Sequence, residues 1–268
     1  MGARRGVLAV LAGLVLGALG APGVATADTG VGYDVSHPQC GEPLPAVAAF
    51  GVVGVNGGVA TTGNPCLAEQ LAWAAGLPGS PGLQVYVNTA NPGRLDPLPG
   101  TWPDTGDSPY GSCHGDAGPA CSWVYGQARA VVDVQGFLLP AAARAGVPVV
   151  AADVVWWLDV ETSNTWQTGS ARAQANNRAA LEGMVDHLTA SGAEVGLYST
   201  GQQWREIVGW VPPGSPLHEL DSWLAGALDP LGAAELCGLP ALVGGGEVVL
   251  AQFVTELDGR PLDHDLPC

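Results

Sequence analysis

The chain has 268 residues, of which 47% are hydrophobic and 13% are charged, and it carries nine arginines and no lysine against 25 acidic residues. The formal net charge of −16 argues against nucleic acid and anionic membranes as partners, because both attract basic surfaces. The apolar content excludes an intrinsically disordered chain. Neutral or weakly charged ligands therefore stay open.

The first 27 residues have the pattern of a secretory signal peptide. Two arginines precede an apolar stretch that runs to about Val24, and an A-x-A cleavage site ends at Ala27. A membrane anchor is the alternative, and it is disfavoured because Gly and Ala dilute the apolar run. We expect a secreted protein in which residues 28–268 form one domain without a further membrane span. Association with the cell wall is left open.

All six cysteines follow this segment, and an even number in an exported chain predicts three disulfides. Six cysteines allow 15 pairings, and the sequence does not choose among them. The pairing we guess joins segments expected to be neighbours, namely Cys40–Cys66, Cys113–Cys121 and Cys237–Cys268. No C-x-x-C motif is present, so a zinc site is disfavoured and no metal or other cofactor is expected.

Short apolar runs alternate with helical segments along the rest of the chain. The predicted strands cover residues 32–37, 50–57, 83–89, 156–162, 194–200, 222–227, 248–253 and 262–265, and the predicted helices cover 66–75, 124–145 and 170–191. Residues 92–122 form a long insertion rich in Pro, Gly and Asp. This alternation predicts an α/β fold of the (β/α)8 TIM-barrel type, irregular toward the C-terminus and stabilised by disulfides.

The fourth predicted strand ends in two carboxylates, Asp159 and Glu161, behind two tryptophans. Side chains alternate along a strand, so both carboxylates point to one face. Burial of two neighbouring acids pushes their pKa values apart, and one of them can then hold a proton for acid/base chemistry on a glycosidic bond. Trp157 shares this face and is expected to line the pocket floor. The alternative is a strand end with two solvated acids.

Polar residues end most of the other predicted strands. They are Asp34, Asn56, Asn88, Thr200 and Gln252. Barrel active sites lie at the C-terminal ends of the strands, so these side chains are expected at one rim. The alternative explanation is that strands end in polar residues because loops begin there.

Five motifs resemble those of glycoside hydrolase family 25, the secreted muramidases, and occur in that family's order. They are residues 33–37 (YDVSH), 158–161 (LDVE), 196–200 (GLYST), 250–253 (LAQF) and 262–265 (LDHD). Together they span nearly the whole chain after the signal peptide. The resemblance is greatest to an uncharacterised, glycoside-hydrolase-like branch of secreted bacterial proteins.

The resemblance implies a role for each matching residue. Glu161 is expected to be the general acid/base that protonates the leaving oxygen, and Asp159 to orient the substrate's N-acetyl group as that group attacks the anomeric carbon. Asp34 and Asp263 are expected to complete an acidic rim, and Tyr198 to contact the acetamido group. The remaining candidate sugar-binding residues are Asn56, Asn88, Gln252 and His37.

The implied function is cleavage of a β-1,4-linked N-acetylated glycan by a monomeric enzyme, with peptidoglycan as the favoured substrate. The chain also departs from the family pattern, because residues 55–58 (VNGG) replace an element of the Thr-Glu-Gly type. A non-catalytic glycan-binding or cell-envelope protein on the same barrel is therefore the main alternative. Hydrolysis of another polysaccharide is a third possibility.

Two other chemistries were weighed. Ser36 and Ser199 lack a G-x-S-x-G elbow, which rejects a serine hydrolase. His264 lies between Asp263 and Asp265 and could form a cation site, but carboxylates near a chain end are more often solvated.

Overall fold

The structure is a computed structural model that describes residues 30–79, 83–257 and 259–268. The predicted signal peptide, residues 1–27, lies outside the described residues. Among the described residues, no helix has both the length and the apolar character that crossing a membrane requires.

Eight strands close into a barrel within the described part of the chain, and a two-stranded hairpin lies beside it. The strands in chain order are β1 (Gly32–Val35), β2 (Gly51–Gly54), β3 (Leu83–Asn88), β4 (Gly106–Ser108), β5 (Gly111–Cys113), β6 (Val154–Asp159), β7 (Glu194–Ser199), β8 (Ser222–Ala227), β9 (Val248–Leu257) and β10 (Arg260–Pro267). Strands β4 and β5 form the hairpin. The predicted α/β barrel is confirmed.

The last barrel strand runs in the opposite direction to the other seven. Strand β10 pairs antiparallel with both β9 and β1, whereas the remaining neighbours pair in parallel. A short turn containing Gly259, at φ +78°, replaces the helical crossover that a parallel strand needs. The irregularity toward the C-terminus was predicted. The antiparallel direction of the eighth barrel strand was not, because the strands of a (β/α)8 barrel are parallel. The reversal sets Asp263 directly opposite Asp34.

The helices surround the barrel. They are α1 (Leu67–Ala75), α2 (Pro119–Val131), α3 (Leu139–Ala145), α4 (Ala171–Ala190), α5 (Gly201–Ile207) and α6 (Pro230–Leu236). A π-helical segment, Val132–Leu138, joins α2 to α3, and short 3-10 turns occupy His37–Gln39 and Ala151–Asp153. The helix predicted at 124–145 begins five residues earlier, at Pro119, because proline is favoured at the first position of a helix.

Helix α4 follows its sequence signals closely. The Ser170 side chain accepts a hydrogen bond from the Ala173 amide (3.1 Å) and caps the first turn. The predicted apolar face, which includes Leu181 and Leu188, is buried in the main core. Gly192 at φ +90° follows the helix in the left-handed conformation that glycine favours.

The two adjacent tryptophans of β6 divide the core into two layers. Trp156 packs with the residues between the barrel and its helices. Trp157 packs inside the barrel with Phe50, Trp223 and Leu250. This alternation is the two-residue period of a strand, and it leaves Asp159 on the inner side with Trp157.

Three disulfides join Cys40 to Cys66, Cys113 to Cys121 and Cys237 to Cys268. These are the pairs that the sequence analysis guessed, and no described cysteine is free. The third bond connects the residue after α6 to the end of the chain, beside β10. It therefore constrains the strand that closes the barrel.

Helices α2 and α4 approach so closely that a substitution at their contact should be costly. A Cβ added at Gly183 would lie 2.0 Å from the Trp123 carbonyl oxygen, so the backbones would have to separate. We expect Gly183→Ala to destabilise the fold by about 3 kcal/mol and to lower the melting temperature by about 6–12 °C. Thermal unfolding followed by circular dichroism measures this change.

The matched control is Gly201→Ala, because no heavy atom lies within 4 Å of the added Cβ there. Its melting temperature should stay close to that of the unchanged protein. Equal melting temperatures for the two variants would contradict the close helix contact.

Candidate active site

A pocket of about 290 Å³ opens at the C-terminal ends of the parallel barrel strands. Its lining includes all four acids that the sequence analysis named as catalytic: Asp34, Asp159, Glu161 and Asp263. It also includes four of the predicted sugar-binding residues: His37, Asn88, Tyr198 and Gln252. Eight side chains that the sequence predicted to share one site therefore line one pocket in the structure.

The two carboxylates of the D-x-E motif face this pocket from the end of β6. The strand ends at Asp159, and Glu161 lies at the start of the following loop. Val160 between them is fully buried, and its amide donates to the Tyr198 carbonyl (2.9 Å). The Glu161 carbonyl accepts the Trp166 indole N–H (2.9 Å). These contacts hold the backbone in position while the carboxylates point inward.

Asn88 supports Asp159, and Asn56 supports Asn88. The Asn88 side-chain amide donates a short hydrogen bond to Asp159 Oδ2. The Asn56 Oδ1 accepts from the Asn88 backbone amide (2.8 Å), and its Nδ2 donates to the Asn88 carbonyl (3.2 Å). Asn56 is completely buried and does not line the pocket. Its prediction as a sugar-binding residue was therefore wrong, because both its polar atoms are used to fix β3.

A second chain of hydrogen bonds reaches Asp34 from the other side of the pocket. The Tyr198 hydroxyl donates to Gln252 Oε1 (2.8 Å), and Gln252 Nε2 donates to Asp34 Oδ2 (2.8 Å). Gln252 thus accepts through its side-chain oxygen and donates through its nitrogen, so both ends of the amide are used. Tyr198 and Asp34 are thus linked across the barrel through one side chain.

The pocket floor is formed by Trp223 instead of the predicted Trp157. Trp157 lies deeper, where its indole N–H donates to Gln84 Oε1 (3.0 Å), and it does not line the pocket. Trp223 on β8 packs against Trp157 (ring centroids 5.7 Å apart) and against Tyr198 (4.4 Å). The prediction for Trp157 identified the correct face of β6 but the wrong depth, because one strand does not show how far the neighbouring strands reach.

Burial raises the pKa of three carboxyls in this site above the usual value. For Asp159, burial is the largest cause, followed by the negative charge of Glu161, and the Asn88 hydrogen bond opposes both. For Asp34, burial is followed by the charge of Asp263, and the Gln252 hydrogen bond opposes them. Burial and the charge of Glu161 raise the pKa of Asp263 to about 6. These carboxyls therefore keep their protons to a higher pH than a solvated carboxyl does.

A fifth acid, Asp265, lies within the barrel beneath the pocket. Its side chain is fully buried, and burial, then the charges of Asp34 and Asp263, raise its pKa well above the usual value. The expectation that carboxylates near the chain end are solvated was wrong for this residue. The signal in the sequence was the two-residue spacing from Asp263, which puts both acids on the inner face of one strand.

The two histidines of interest have different surroundings. His37 lines the pocket, and its ring lies where a Cβ on Gly58 would meet it at 2.6 Å. His264 lies between the rings of Tyr33 and Phe253 and forms a hydrogen bond with Thr255 (2.7 Å) through Nε2. Within the described ranges, no group of three or more His, Cys, Asp or Glu side chains could hold a metal ion.

The barrel and its pocket define a class of site. Acids converge at the C-terminal end of a parallel barrel, the position that barrel enzymes use, and paired carboxylates are the usual groups of glycoside hydrolysis. Comparison with known proteins shows a similar fold. In fold, the chain is similar to a muramidase from Trichobolus zukalii, with a TM-score of 0.51 and 17% identity over 90% of this chain and 94% of that one.

Two curated proteins are similar in sequence over shorter segments. "Probable GH family 25 lysozyme 2" of Dictyostelium discoideum is 36% identical over 69 residues, which are 26% of this chain and 29% of that protein. "Lysozyme-like protein 5" of Caenorhabditis elegans is 33% identical over 97 residues, which are 31% of this chain and 43% of that protein. The chain thus spans less than half the length of either relative. No family model matches it.

These relatives support a resemblance to the lysozymes of glycoside hydrolase family 25. They come from a slime mould, a nematode and a fungus, so the expected bacterial branch is not confirmed.

The raised pKa of Asp263 predicts a stability that decreases as the pH rises. A carboxyl with a higher pKa in the folded than in the unfolded state binds more protons when folded, so its stabilising effect is complete below pH 3.8 and is lost as the pH rises through about 6. Asp34 and Asp159 act in the same direction. Because asparagine does not titrate, we expect Asp263→Asn to make the fall in unfolding free energy with rising pH smaller by about 2 kcal/mol. This value allows for the partial exposure of Asp263.

Melting temperatures measured between pH 4 and pH 7 test this expectation. Asp104→Asn is the control, since Asp104 is exposed in the insertion and should leave the pH dependence unchanged. An Asp263→Asn protein with the original pH dependence would show that Asp263 titrates normally.

Proposed function

We propose that the protein is a secreted glycoside hydrolase that cleaves a β-1,4-linked N-acetylated glycan, with peptidoglycan as the favoured substrate. The observation that carries this proposal is the convergence of Asp159 and Glu161, from one strand end, with Asp34 and Asp263 around a single open pocket. The similarity to lysozymes in sequence and fold supports an enzyme of this kind. Three disulfides are compatible with an oxidising extracellular location.

In this proposal Glu161 donates a proton to the leaving oxygen and later accepts one from water. Asp159 lies deeper, is 2% exposed, and receives the Asn88 hydrogen bond, so it is suited to orient the acetamido group of the substrate. Oxygen Oδ1 of Asp159 is buried and has no hydrogen-bond partner among the described residues, and in this proposal it accepts the acetamido N–H. Attack by the acetamido oxygen on the anomeric carbon is then assisted by the charge of Asp159.

Burial raises the pKa of the Asp159 carboxyl and so favours its protonated form. The proposed chemistry needs the proton on Glu161 and the charge on Asp159. An acetamido N–H that bonds to Asp159 stabilises the charged form of this carboxyl, which is the form that the proposed chemistry needs.

Release of reducing ends from purified peptidoglycan tests the proposal. We expect turnover by the protein with intact disulfides, and a loss of at least about 100-fold in Glu161→Gln, which keeps the side-chain shape and removes the acid. Glu194→Gln is the matched control, because Glu194 is exposed at the opposite end of the barrel and should retain full activity.

Two outcomes would count against this proposal. Turnover that persists in Glu161→Gln would exclude Glu161 as the acid. Absence of turnover on peptidoglycan and on chitin, with sugar binding that the substitution does not change, would favour a non-catalytic glycan-binding protein.

Asn88→Ala provides an independent test through the pH dependence of catalysis. The Asn88 hydrogen bond lowers the pKa of Asp159. Its loss should therefore raise that pKa and shift the acidic limb of the kcat/KM profile to higher pH by about one unit. Gln84→Ala on the same strand is the control, because Gln84 contacts Trp157 outside the pocket. An unshifted profile in Asn88→Ala would mean that the charge of Asp159 does not limit the reaction.

A further inference from the structure

A second pocket, of about 180 Å³, adjoins the acid-lined pocket. Ser163, two residues after Glu161, lines both pockets and forms their common wall. The remaining lining residues come from the loop after β2, from the insertion after β3, from α2 and from the loop after β6: Val59, Ala60, Thr61, Ala90, Pro92, Leu95, Pro99, Thr101, Tyr125, Asn164 and Thr165. The insertion, for which the sequence analysis found no role, thus builds one side of this pocket.

The lining is neutral, in contrast to the pocket beside it. It contains no Asp, Glu, Arg, Lys or His, and it combines apolar side chains with the hydroxyls of Thr61, Thr101 and Tyr125. Tyr125 is 1% exposed and contributes to this lining. These hydroxyls can exchange hydrogen bonds with the hydroxyls of a ligand.

The wall that carries Tyr125 is held in place before any ligand arrives. Trp102 stacks on the Tyr125 ring (centroids 5.4 Å apart), and its indole N–H donates to the Asp116 carbonyl (3.3 Å). The Cys113–Cys121 disulfide ties the hairpin of the insertion to the first turn of α2. At the start of the insertion, Asn91 donates to Ser122 Oγ (3.0 Å). The pocket is therefore preformed, which limits the entropy lost on binding.

We propose that this pocket is a subsite for one sugar ring of the glycan. This ring is neutral, carries no peptide, and lies next to the sugar held among the acids. The inference rests on the proposed function. A volume of 180 Å³ is below the range of about 300–1,000 Å³ for a complete small-molecule site, so the pocket holds part of a ligand that the neighbouring pocket also grips. The hydroxyls and the apolar surface match the polar edge and the apolar faces of a sugar ring.

The neutral lining excludes a charged substituent. Peptide stems of bacterial cell walls carry carboxylates, and a carboxylate desolvated here would find no cation in the lining. The pocket therefore selects the sugar of the glycan that carries no stem and leaves the peptide-bearing sugar elsewhere.

Hydrolysis of N-acetylglucosamine oligomers, from dimer to hexamer, tests the subsite. We expect kcat/KM to rise sharply at the length that first reaches this pocket. Thr101→Trp, at the exposed rim, should fill the pocket and reduce that rise by about tenfold. Tyr125→Phe keeps the stack with Trp102 and should reduce the rise by about threefold, the effect of one neutral hydrogen bond.

Leu98→Trp is the matched control, because Leu98 lies in the same insertion, is 40% exposed, and does not line the pocket. It should retain both the length dependence and the original rate on the shortest productive oligomer. Length dependence unchanged in both Thr101→Trp and Tyr125→Phe would overturn the subsite while the proposed function stands.

If the unchanged protein hydrolyses none of the oligomers, the proposed function fails for this substrate, and hexamer binding by calorimetry decides the subsite separately. Weaker binding in Thr101→Trp and Tyr125→Phe, with Leu98→Trp unaffected, would support it. Equal binding by all four proteins would overturn it. A tetrasaccharide from peptidoglycan should also bind equally well with and without its peptide stem, because the stem stays outside the pocket. An affinity that depends on the stem, and that loses this dependence in Thr101→Trp, would contradict the proposal.

Discussion

The structure depends on one electrostatic constraint, which is that several carboxyls are buried together at the mouth of a closed barrel. Asp34 and Asp159 are at most 5% exposed, and Asp265 is fully buried. No arginine lines their pocket, so their charge is not balanced by an ion pair there. Burial of unpaired charges is so unfavourable that buried groups neutralise instead. Hydrogen bonds from the side-chain amides of Asn88 and Gln252, together with retained protons, reduce the free-energy cost of burying this cluster.

The frame around the cluster supplies the rigidity that such a site needs. Asn56 fixes Asn88 through both of its polar atoms, and the Tyr198–Gln252–Asp34 chain spans the barrel. The third disulfide, Cys237–Cys268, constrains the reversed strand that brings Asp263 opposite Asp34. Residues placed for chemistry lower stability, whereas the close contact of α2 and α4 and the disulfides raise it.

Much of this arrangement could be predicted from the sequence, because strand periodicity and strand ends are local properties. The acids of β1 and β6 follow from alternation and from the rule that barrel sites lie at strand C-termini, whereas Asp263 on the reversed strand β10 was predicted only from the family motif. The depth of Trp157 and the role of Asn56 could not be predicted, because both depend on the register of neighbouring strands. The antiparallel direction of β10 was equally hidden, since a strand's sequence does not show its direction.

The neutral pocket beside the acids was beyond the sequence for a related reason. Its lining comes from four separate segments, and the insertion that contributes the largest share has no periodic pattern. Tyr125 lies on the helix face that the stack with Trp102 covers, a contact between residues 23 positions apart in sequence. The two pockets, one acidic and one neutral, share Ser163 and together form the surface that a polymer would occupy.

The most direct test of this account is a carboxyl ¹³C NMR titration of the folded protein, with assignments from Asp→Asn variants. The account predicts that the carboxyls of Asp34, Asp159 and Asp265 titrate well above pH 4, and that Asp263 titrates near pH 6. Ionisation of all four at or below pH 4 would contradict it, because the buried cluster would then carry its full charge with no ion pair to balance it.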